Sequence, residues 1–204
     1  DLDDAVDGGE LSPGQAQTLE TRLRKKPNDL DARGRLLGYY FTRQAEPGDR
    51  DARRPHVLWL IRNHPGIELA GTPYAQFIAD LDAEGYAEGA AAWRAHLAAE
   101  APSVAILSHA AHYFQRTEPA LAEELLRKAR EQAPDDRERK TELGLHVLNH
   151  GGAEEALDGM YAAVWHMNES INVAGDLDRT RTPDTSGYFN TATVRGATFP
   201  AGND

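Results

Sequence analysis

Apolar residues recur three or four positions apart along most of the chain, which is the spacing of a helix with one buried face. The first such stretch places Leu19 and Leu23 between Ser12-Pro13, a typical helix start, and Lys25-Lys26-Pro27, a typical helix stop. The same punctuation recurs downstream, so the sequence predicts nine helices ending near Met167. Further predicted starts are Asp29 or Asp31, Thr72, Ser103, Thr117, Asp136 and Ala153.

Local features refine this pattern at four places. The stretch His56 to Ile61 is apolar on nearly all sides, and we expect its helix to be the most buried. Residues 44–51 are polar and contain Pro47-Gly48, which predicts a loop. A short helix is predicted from Thr72-Pro73 to Leu81, and Thr117 is the expected cap of the helix that contains Pro119.

The two ends of the chain lack a helical period. Residues 1–10 are acidic and contain glycine, and we expect a solvated N-terminal arm. Residues 171–204 are rich in Gly, Thr, Asp, Asn and Pro and predict an irregular tail, with a hairpin of 188–194 and 197–199 as the alternative. The predicted organisation is an arm (1–10), a helical domain (11–170) and a tail (171–204).

Prolines that end helices are spaced almost regularly. Pro27, Pro65, Pro102 and Pro134 follow one another at intervals of 38, 37 and 32 residues. Such a period accommodates two helices and two turns, and it predicts a repeat of helical hairpins.

A shift of 34 residues aligns two sets of positions in the second half of the chain. The first set is Ala110, Tyr113, Ala122, Leu126, Ala129 and Pro134, and the second is Gly144, Val147, Ala156, Met160, Ala163 and Asn168. Five of the six positions keep their small or large apolar character. This pattern, with the Leu-Gly pairs Leu143-Gly144 and Leu37-Gly38, resembles the tetratricopeptide repeat family over residues 103–168, and more weakly over 29–102.

The resemblance implies an all-α fold, a tetratricopeptide-like right-handed array of antiparallel helix pairs (an α-solenoid) with an irregular C-terminal tail. Small residues would let paired helices approach closely, and large ones would fill the space between pairs. An ordinary helical bundle without repeats is the alternative.

The resemblance also implies a concave surface, lined by the first helix of each pair, that holds a peptide or protein segment. Mixed apolar and amide side chains suit an extended peptide. The mapped peptide-groove residues are Leu107, Ala111, Phe114, Gln115, Thr141, Leu145, Leu148 and Asn149. Alternatively, Leu145 and Leu148 belong to the core. The leading function is a non-catalytic protein- or peptide-binding scaffold, with the tail as a candidate occupant of its own groove.

Histidines suggest a rival function. Five of the 8 histidines lie between residues 109 and 166. His109 and His112 are three positions apart on one predicted helix, and His146 and His150 are four apart on another, so each pair shares a helical face. With Glu142, such a cluster would suit Zn²⁺, Cu²⁺ or Fe²⁺ in a metal-dependent enzyme or metal-binding protein. Ordinary helix histidines are the alternative, since no His-Glu-x-x-His motif is present.

A third interpretation is a small-molecule pocket between Trp59, Tyr74, Phe77 and Trp93, which the sequence does not separate from core. The sequence contains no Gly-rich phosphate loop, nucleophile elbow or dinucleotide fingerprint. We therefore expect no cofactor for the scaffold function, and a metal ion only for the rival one.

Charge and composition narrow the class of partner. The 204 residues carry a formal net charge of −11, which argues against a nucleic-acid binder and favours a basic protein or peptide partner. The absence of cysteine excludes disulfides and thiolate metal sites. No apolar run reaches the roughly 18 residues of a membrane span. We expect a soluble protein that is either cytoplasmic or exported after removal of an N-terminal segment, and Asp1 in place of a first methionine is compatible with such removal.

Overall fold

The chain divides into two units, and the described part of the first contains eight α-helices. The structure is a computed structural model that describes residues 2–99 and 101–150, together with the backbone of 181–182 and 192–193. The two units are Asp1–Ala156 and Leu157–Asp204. The helices are α1 Leu2–Gly8, α2 Pro13–Lys25, α3 Leu30–Phe41, α4 Pro47–Asn63, α5 Ala83–Leu97, α6 Val104–Phe114, α7 Pro119–Gln132 and α8 Arg137–His150. Two short 3-10 turns, Glu68–Gly71 and Pro73–Ala75, lie between α4 and α5.

The second unit is described only at one pair of short strands. Arg181–Thr182 (β1) pairs antiparallel with Ala192–Thr193 (β2), with Arg181 opposite Thr193. The predicted ninth helix, from Ala153 to Met167, lies outside the described residues, as does most of the predicted tail. The expectations for both segments, including occupation of the groove by the tail, stay predictions.

The described part of the first unit is all-α, as the sequence predicts. From α2 to α8, each helix packs against the next one in the chain. One hydrophobic core extends from α3 to α8 and includes Trp93 and Phe114, and a smaller core around Leu36 joins α2 to α3. None of the described helices is long and apolar enough to cross a membrane.

Side-chain caps place several helix starts where the sequence predicts them. The Ser12 hydroxyl accepts a hydrogen bond from the Gln15 amide, and the Gln15 side chain accepts one from the Ser12 amide at 2.8 Å. Asp29 and Ser103 accept in the same way at the starts of α3 and α6. These caps satisfy amides that the first helical turn leaves without partners, so local chemistry fixes these boundaries.

The N-terminal arm differs from the expectation, because residues 2–8 form α1 and pack against α3. Ala5 is fully buried in the core. A Cβ at Gly38 would overlap the carbonyl oxygen of Ala5, and a Cβ at Gly8 would overlap that of Arg35. Two glycines on facing helices therefore let the backbones touch, a long-range relation that acidic composition does not reveal.

Two other boundaries also differ from prediction. Helix α4 begins at Pro47, within the predicted loop, because proline is well suited to the first helical position. At α7 the cap residue is Glu118, whereas the Thr117 hydroxyl contacts the Tyr86 hydroxyl. The Thr117 side chain, which the sequence predicts to cap α7, thus makes a tertiary contact with α5 instead.

The predicted helix from Thr72 to Leu81 is replaced by the 3-10 turn Pro73–Ala75 and a non-helical stretch over residues 76–81, which together we call the irregular segment. The Arg53 guanidinium, on α4, donates from Nη2 to the carbonyls of Pro73, Tyr74 and Gln76, at 3.3, 2.7 and 2.7 Å. These carbonyls would otherwise be acceptors within a helix. A buried cation with several donors therefore satisfies the backbone in a non-helical path.

Helix α4 carries a buried apolar stretch over His56 to Ile61, but the prediction that its helix is the most buried is wrong: six of its 17 residues are buried, against eight of the 12 in α3. Val57, Leu60 and Ile61 are fully buried, whereas Trp59 is half-buried beneath the Arg33 guanidinium at 3.9 Å. The apolar residues 57, 58, 60 and 61 therefore belong to the core, whereas Trp59 stays partly exposed.

A buried polar network joins α2, α3 and α4. Arg33 Nη1 lies 3.1 Å from His56 Nδ1, and His56 Nε2 lies 2.9 Å from Glu20 Oε1. Because a guanidinium only donates, Nδ1 accepts and the Nε2 proton is donated to Glu20. Tyr40 donates to the same carboxylate oxygen at 2.8 Å. Burial raises the pKa of Glu20, but the hydrogen bonds from His56 and Tyr40 lower it by more. The net result is a pKa below the ordinary 4.5.

Substituting Gly38→Ala should destabilise the first unit, because the added methyl group separates α1 from α3. We expect a loss of about 1–3 kcal/mol in the free energy of unfolding, measured with urea. Gly14→Ala is the matched control: it lies in α2 with no atom near its would-be Cβ, and should be neutral or stabilising by up to about 1 kcal/mol. Equal effects of the two substitutions would disprove the close approach.

Substituting Glu20→Gln should destabilise the protein in a pH-dependent way. Since the folded-state pKa is lowered, the carboxylate stabilises the fold fully above pH 4.5, and this contribution is lost as pH falls through the folded pKa. We expect a loss of about 1 kcal/mol at about pH 7 that narrows towards about pH 3. The exposed Glu124→Gln, paired with Lys128, should change stability by less than about 0.5 kcal/mol. A loss that is the same at both pH values would contradict the network.

Candidate functional site

Two adjacent clefts lie on the surface that contains the C-terminal end of α6. The first, the α6–α8 cleft, has a volume of about 220 Å³. It is lined by Ala111, His112, Gln115, Leu126, Glu142, Leu145, His146 and Asn149. The second, the aromatic cleft, has a volume of about 440 Å³ and also includes His112 and Gln115. Because they share these two residues, the clefts meet, and we refer to them together as the groove.

Only part of the predicted peptide-groove set lines this groove. Leu107 and Phe114 are 2% and 0% exposed and belong to the core, which corrects their assignment to the surface. The cause is that α6 is covered on several sides, by α5, α7 and the turn at Glu68–Gly71. Helical periodicity identifies apolar positions on α6 but does not reveal how many neighbours cover them.

The remaining predicted positions are divided between the groove and the open surface. Ala111 is 1% exposed and forms the floor of the α6–α8 cleft, while Gln115, Leu145 and Asn149 line its sides. Leu145 and Leu148 are 55% and 46% exposed, so the alternative that they are core residues is wrong. Leu148 and Thr141 are exposed but are not among the lining residues of the cleft.

The four predicted metal-binding histidines each contact a backbone carbonyl. His109 Nδ1 lies 2.9 Å from the Pro65 oxygen, and His112 Nδ1 lies 3.3 Å from the Gly71 oxygen. His146 Nε2 donates to Pro119 at 3.0 Å, and His150 Nδ1 donates to the His146 carbonyl at 3.1 Å. Since a carbonyl only accepts, each of these ring nitrogens carries a proton and is not free to bind a metal ion.

The structure brings two of these histidines into contact and places a third beside an acid. His146 and His150 stack at 4.5 Å, and His112 Nε2 lies 3.4 Å from Glu142 Oε1. Within residues 2–99 and 101–150, no three His, Asp or Glu side chains are gathered where they could hold one metal ion. The metal-dependent function stays a prediction to which these contacts add no support.

Glu142, an acid of the α6–α8 cleft, contacts two basic side chains. Its Oε2 lies 2.8 Å from Arg139 Nη1, while Oε1 faces His112. Burial raises the pKa of Glu142, but the hydrogen bond and charge of His112 and the charge of Arg139 lower it by more. The net result is a pKa below its ordinary value. The carboxylate is therefore ionised at neutral pH.

Ser108, His112 and Glu142 are a serine, a histidine and an acid close together, but the burial of the Ser108 hydroxyl argues against a catalytic triad. Ser108 lies one helical turn before His112 on α6, but it is completely buried. Burial likewise lowers the pKa of the neighbouring His109, which favours its neutral form. A substrate could not reach the Ser108 oxygen, so this arrangement lacks an accessible nucleophile.

The aromatic cleft is a feature that the sequence does not predict. Its walls include Phe41, Phe77, Tyr86 and Tyr113, which come from α3, the irregular segment, α5 and α6. The predicted pocket of Trp59, Tyr74, Phe77 and Trp93 does not form. Trp93 is fully buried, Trp59 faces Arg33, and Tyr74 packs on the edge of Phe41 at 4.9 Å. Of those four residues only Phe77 lines the cleft.

Four side-chain amides line the groove. Gln44 and Gln76 lie in the aromatic cleft, Asn149 lies in the α6–α8 cleft, and Gln115 borders both. None of the four side chains makes a hydrogen bond within the described part of the chain. Each therefore offers both a donor and an acceptor to a ligand.

Substituting Arg53→Met should release the irregular segment and collapse the aromatic cleft. Three carbonyls lose a buried donor, and we expect a loss of at least about 2 kcal/mol in the free energy of unfolding. Limited proteolysis should also cut faster between residues 72 and 82. Arg62→Met, on the same helix, removes only an exposed pair with Glu88 and should cost less than about 1 kcal/mol. Equal losses in the two variants would show that Arg53 does not hold the segment.

Comparison with known proteins identifies no relative of this chain. No protein-family model, no curated protein and no solved structure matches the chain. The resemblance to tetratricopeptide repeats therefore depends on the pattern of residues alone, and the groove must be interpreted from its own geometry and chemistry.

Proposed function

We propose that this protein is a non-catalytic scaffold that binds an extended peptide segment of a partner protein in the groove. The observation that carries the proposal is a set of four amides, without hydrogen-bond partners among the described residues, in two clefts that meet at His112 and Gln115. An extended peptide presents a backbone N–H and C=O at nearly every residue, and both need partners when water is excluded. Side-chain amides satisfy either kind of group.

Apolar contact supports the same interpretation. Leu145 is more than half exposed at the side of the α6–α8 cleft, next to Asn149. An apolar side chain among amides is the mixture that recognises an extended segment, because side chains give contact area while amides fix the backbone. A metal ion or a nucleophile is not required for this function.

We further propose that the helix pairs form a tetratricopeptide-like array. Consecutive packing from α2 to α8 and the 34-residue shift both support this arrangement. The array would account for a groove whose walls come from α6 and α8, the first helices of two successive pairs.

A basic segment is the proposed partner. The net charge is −11, Asp80 is exposed at the edge of the aromatic cleft, and Glu142 is ionised at neutral pH. Complementary charge mainly speeds association and makes it sensitive to salt.

Selection of random peptides displayed on phage, with the full chain as target, tests the proposal. Enriched peptides should bind in fluorescence anisotropy, and Gln115→Ala or Asn149→Ala should each weaken binding about 3- to 10-fold, the value of one hydrogen bond. Gln17→Ala, an exposed amide on α2, is the matched control and should leave the affinity unchanged. The absence of enriched peptides, or equal losses in all three variants, would refute binding in the groove.

A further inference from the structure

The aromatic cleft combines flat apolar walls with polar groups at its edge. Tyr86 and Tyr113 stack with their ring centres 5.1 Å apart and nearly parallel, and Phe77 lies on the same cleft. The volume of about 440 Å³ is within the range of about 300–1,000 Å³ that is typical of ligand sites. Planar groups fill such a space best, because they can stack on the walls.

A fixed positive charge lies behind two of these walls. The guanidinium of Arg53, which is 2% exposed, is 5.7 Å from the ring centres of both Phe41 and Phe77. Burial lowers the pKa of Arg53 to about 10, so it stays a cation at neutral pH. The carboxylate of Asp82, which the field of Arg53 also reaches, is bound by Arg54 at 2.8 Å. Arg53 itself makes no ion pair within the part of the chain that the structure describes, so its charge is not neutralised by direct contact with an acid.

This charge affects which side chain the cleft accepts. An aromatic ring attracts cations through its face, and Arg53 already occupies that role at two rings. A second cation in the cleft would be repelled by the buried Arg53. Asp80 and Arg116 at the edge carry opposite charges and are both exposed, so solvent weakens their effects more than it weakens the effect of a buried charge.

Groups at the edge favour an aromatic side chain that also has a polar tip. Asp80, Gln44 and Gln76 line the cleft and provide acceptors that an indole N–H or a phenol O–H can reach. A purely aliphatic group would fill the volume but would leave these acceptors without a new partner.

We propose that the aromatic cleft receives a tryptophan or tyrosine side chain of the bound segment, in preference to a lysine, arginine or leucine side chain. This inference rests on the proposed peptide-binding function and adds the identity of one recognised residue. The basic residues of the segment then contact the acidic surface outside the cleft.

Binding of single-residue probes tests the preference directly. The ¹H–¹⁵N resonances of Ala79 and Thr117 in the full chain report on the cleft. N-acetyl-tryptophanamide should shift them in a saturable way, with a dissociation constant about 3- to 10-fold lower than those of N-acetyl-lysinamide and N-acetyl-leucinamide. Equal or tighter binding of the lysine or leucine probe would overturn the inference.

A pair of variants at one position separates stacking from loss of structure. Tyr86→Leu removes a stacking face and should weaken the tryptophan probe about 3- to 10-fold, whereas Tyr86→Phe keeps the ring and should retain binding. Loss of binding in both variants, with unchanged spectra elsewhere, would overturn the stacking role.

The phage-selected peptides distinguish failure of this inference from failure of the proposed function. Replacing the aromatic residue of a selected peptide by lysine should weaken binding by at least the factor seen with the probes. If peptides bind through Gln115 and Asn149 but have no aromatic requirement, the inference is wrong and the groove function stands. If the tryptophan probe binds but no peptide does, the preference of the cleft is supported and the peptide function is refuted.

Discussion

The buried guanidinium of Arg53 is the group on which the geometry of the groove depends. A desolvated cation must place its N–H groups on acceptors, and Arg53 uses the carbonyls of Pro73, Tyr74 and Gln76. This satisfies backbone that is not α-helical, and Phe41 and Phe77, which line the same cleft, each lie 5.7 Å from the guanidinium. The same charge, fixed behind those rings, gives the aromatic cleft its proposed preference. Local irregularity, burial and recognition thus depend on one side chain of α4.

Two histidines on α6 likewise donate to backbone carbonyls, in the part of the α4–α5 connection that precedes the irregular segment. His109 and His112 contact the carbonyls of Pro65 and Gly71, so the connection between α4 and α5 is attached to α6 as well as to α4. A Cβ at Gly71 would overlap the His109 ring, which shows how closely the two segments approach. The imidazoles are therefore explained as backbone donors, and the non-helical wall of the groove is fixed from two sides.

Sequence reasoning succeeds where the determining contacts are local and fails where they are not. Ser12, Asp29 and Ser103 cap their own helices, so these starts follow from a few neighbouring residues. The helical content and the partial exposure of Gln115 and Asn149 are also accessible from periodicity. The contact of Gly38 with α1 and the burial of Phe114 depend on helices distant in sequence. The same is true of Arg53, because α4 also contains Arg50, Arg54 and Arg62, and the sequence does not show which of these arginines is buried.

The central claim is that an extended segment binds along the groove, across both clefts. Hydrogen–deuterium exchange of the full chain, with and without a phage-selected peptide, measures this most directly. We predict slower exchange of backbone amides at residues 76–80, 115–117 and 145–149, with no change in α2. Slower exchange confined to α2 or to one cleft alone would contradict the account.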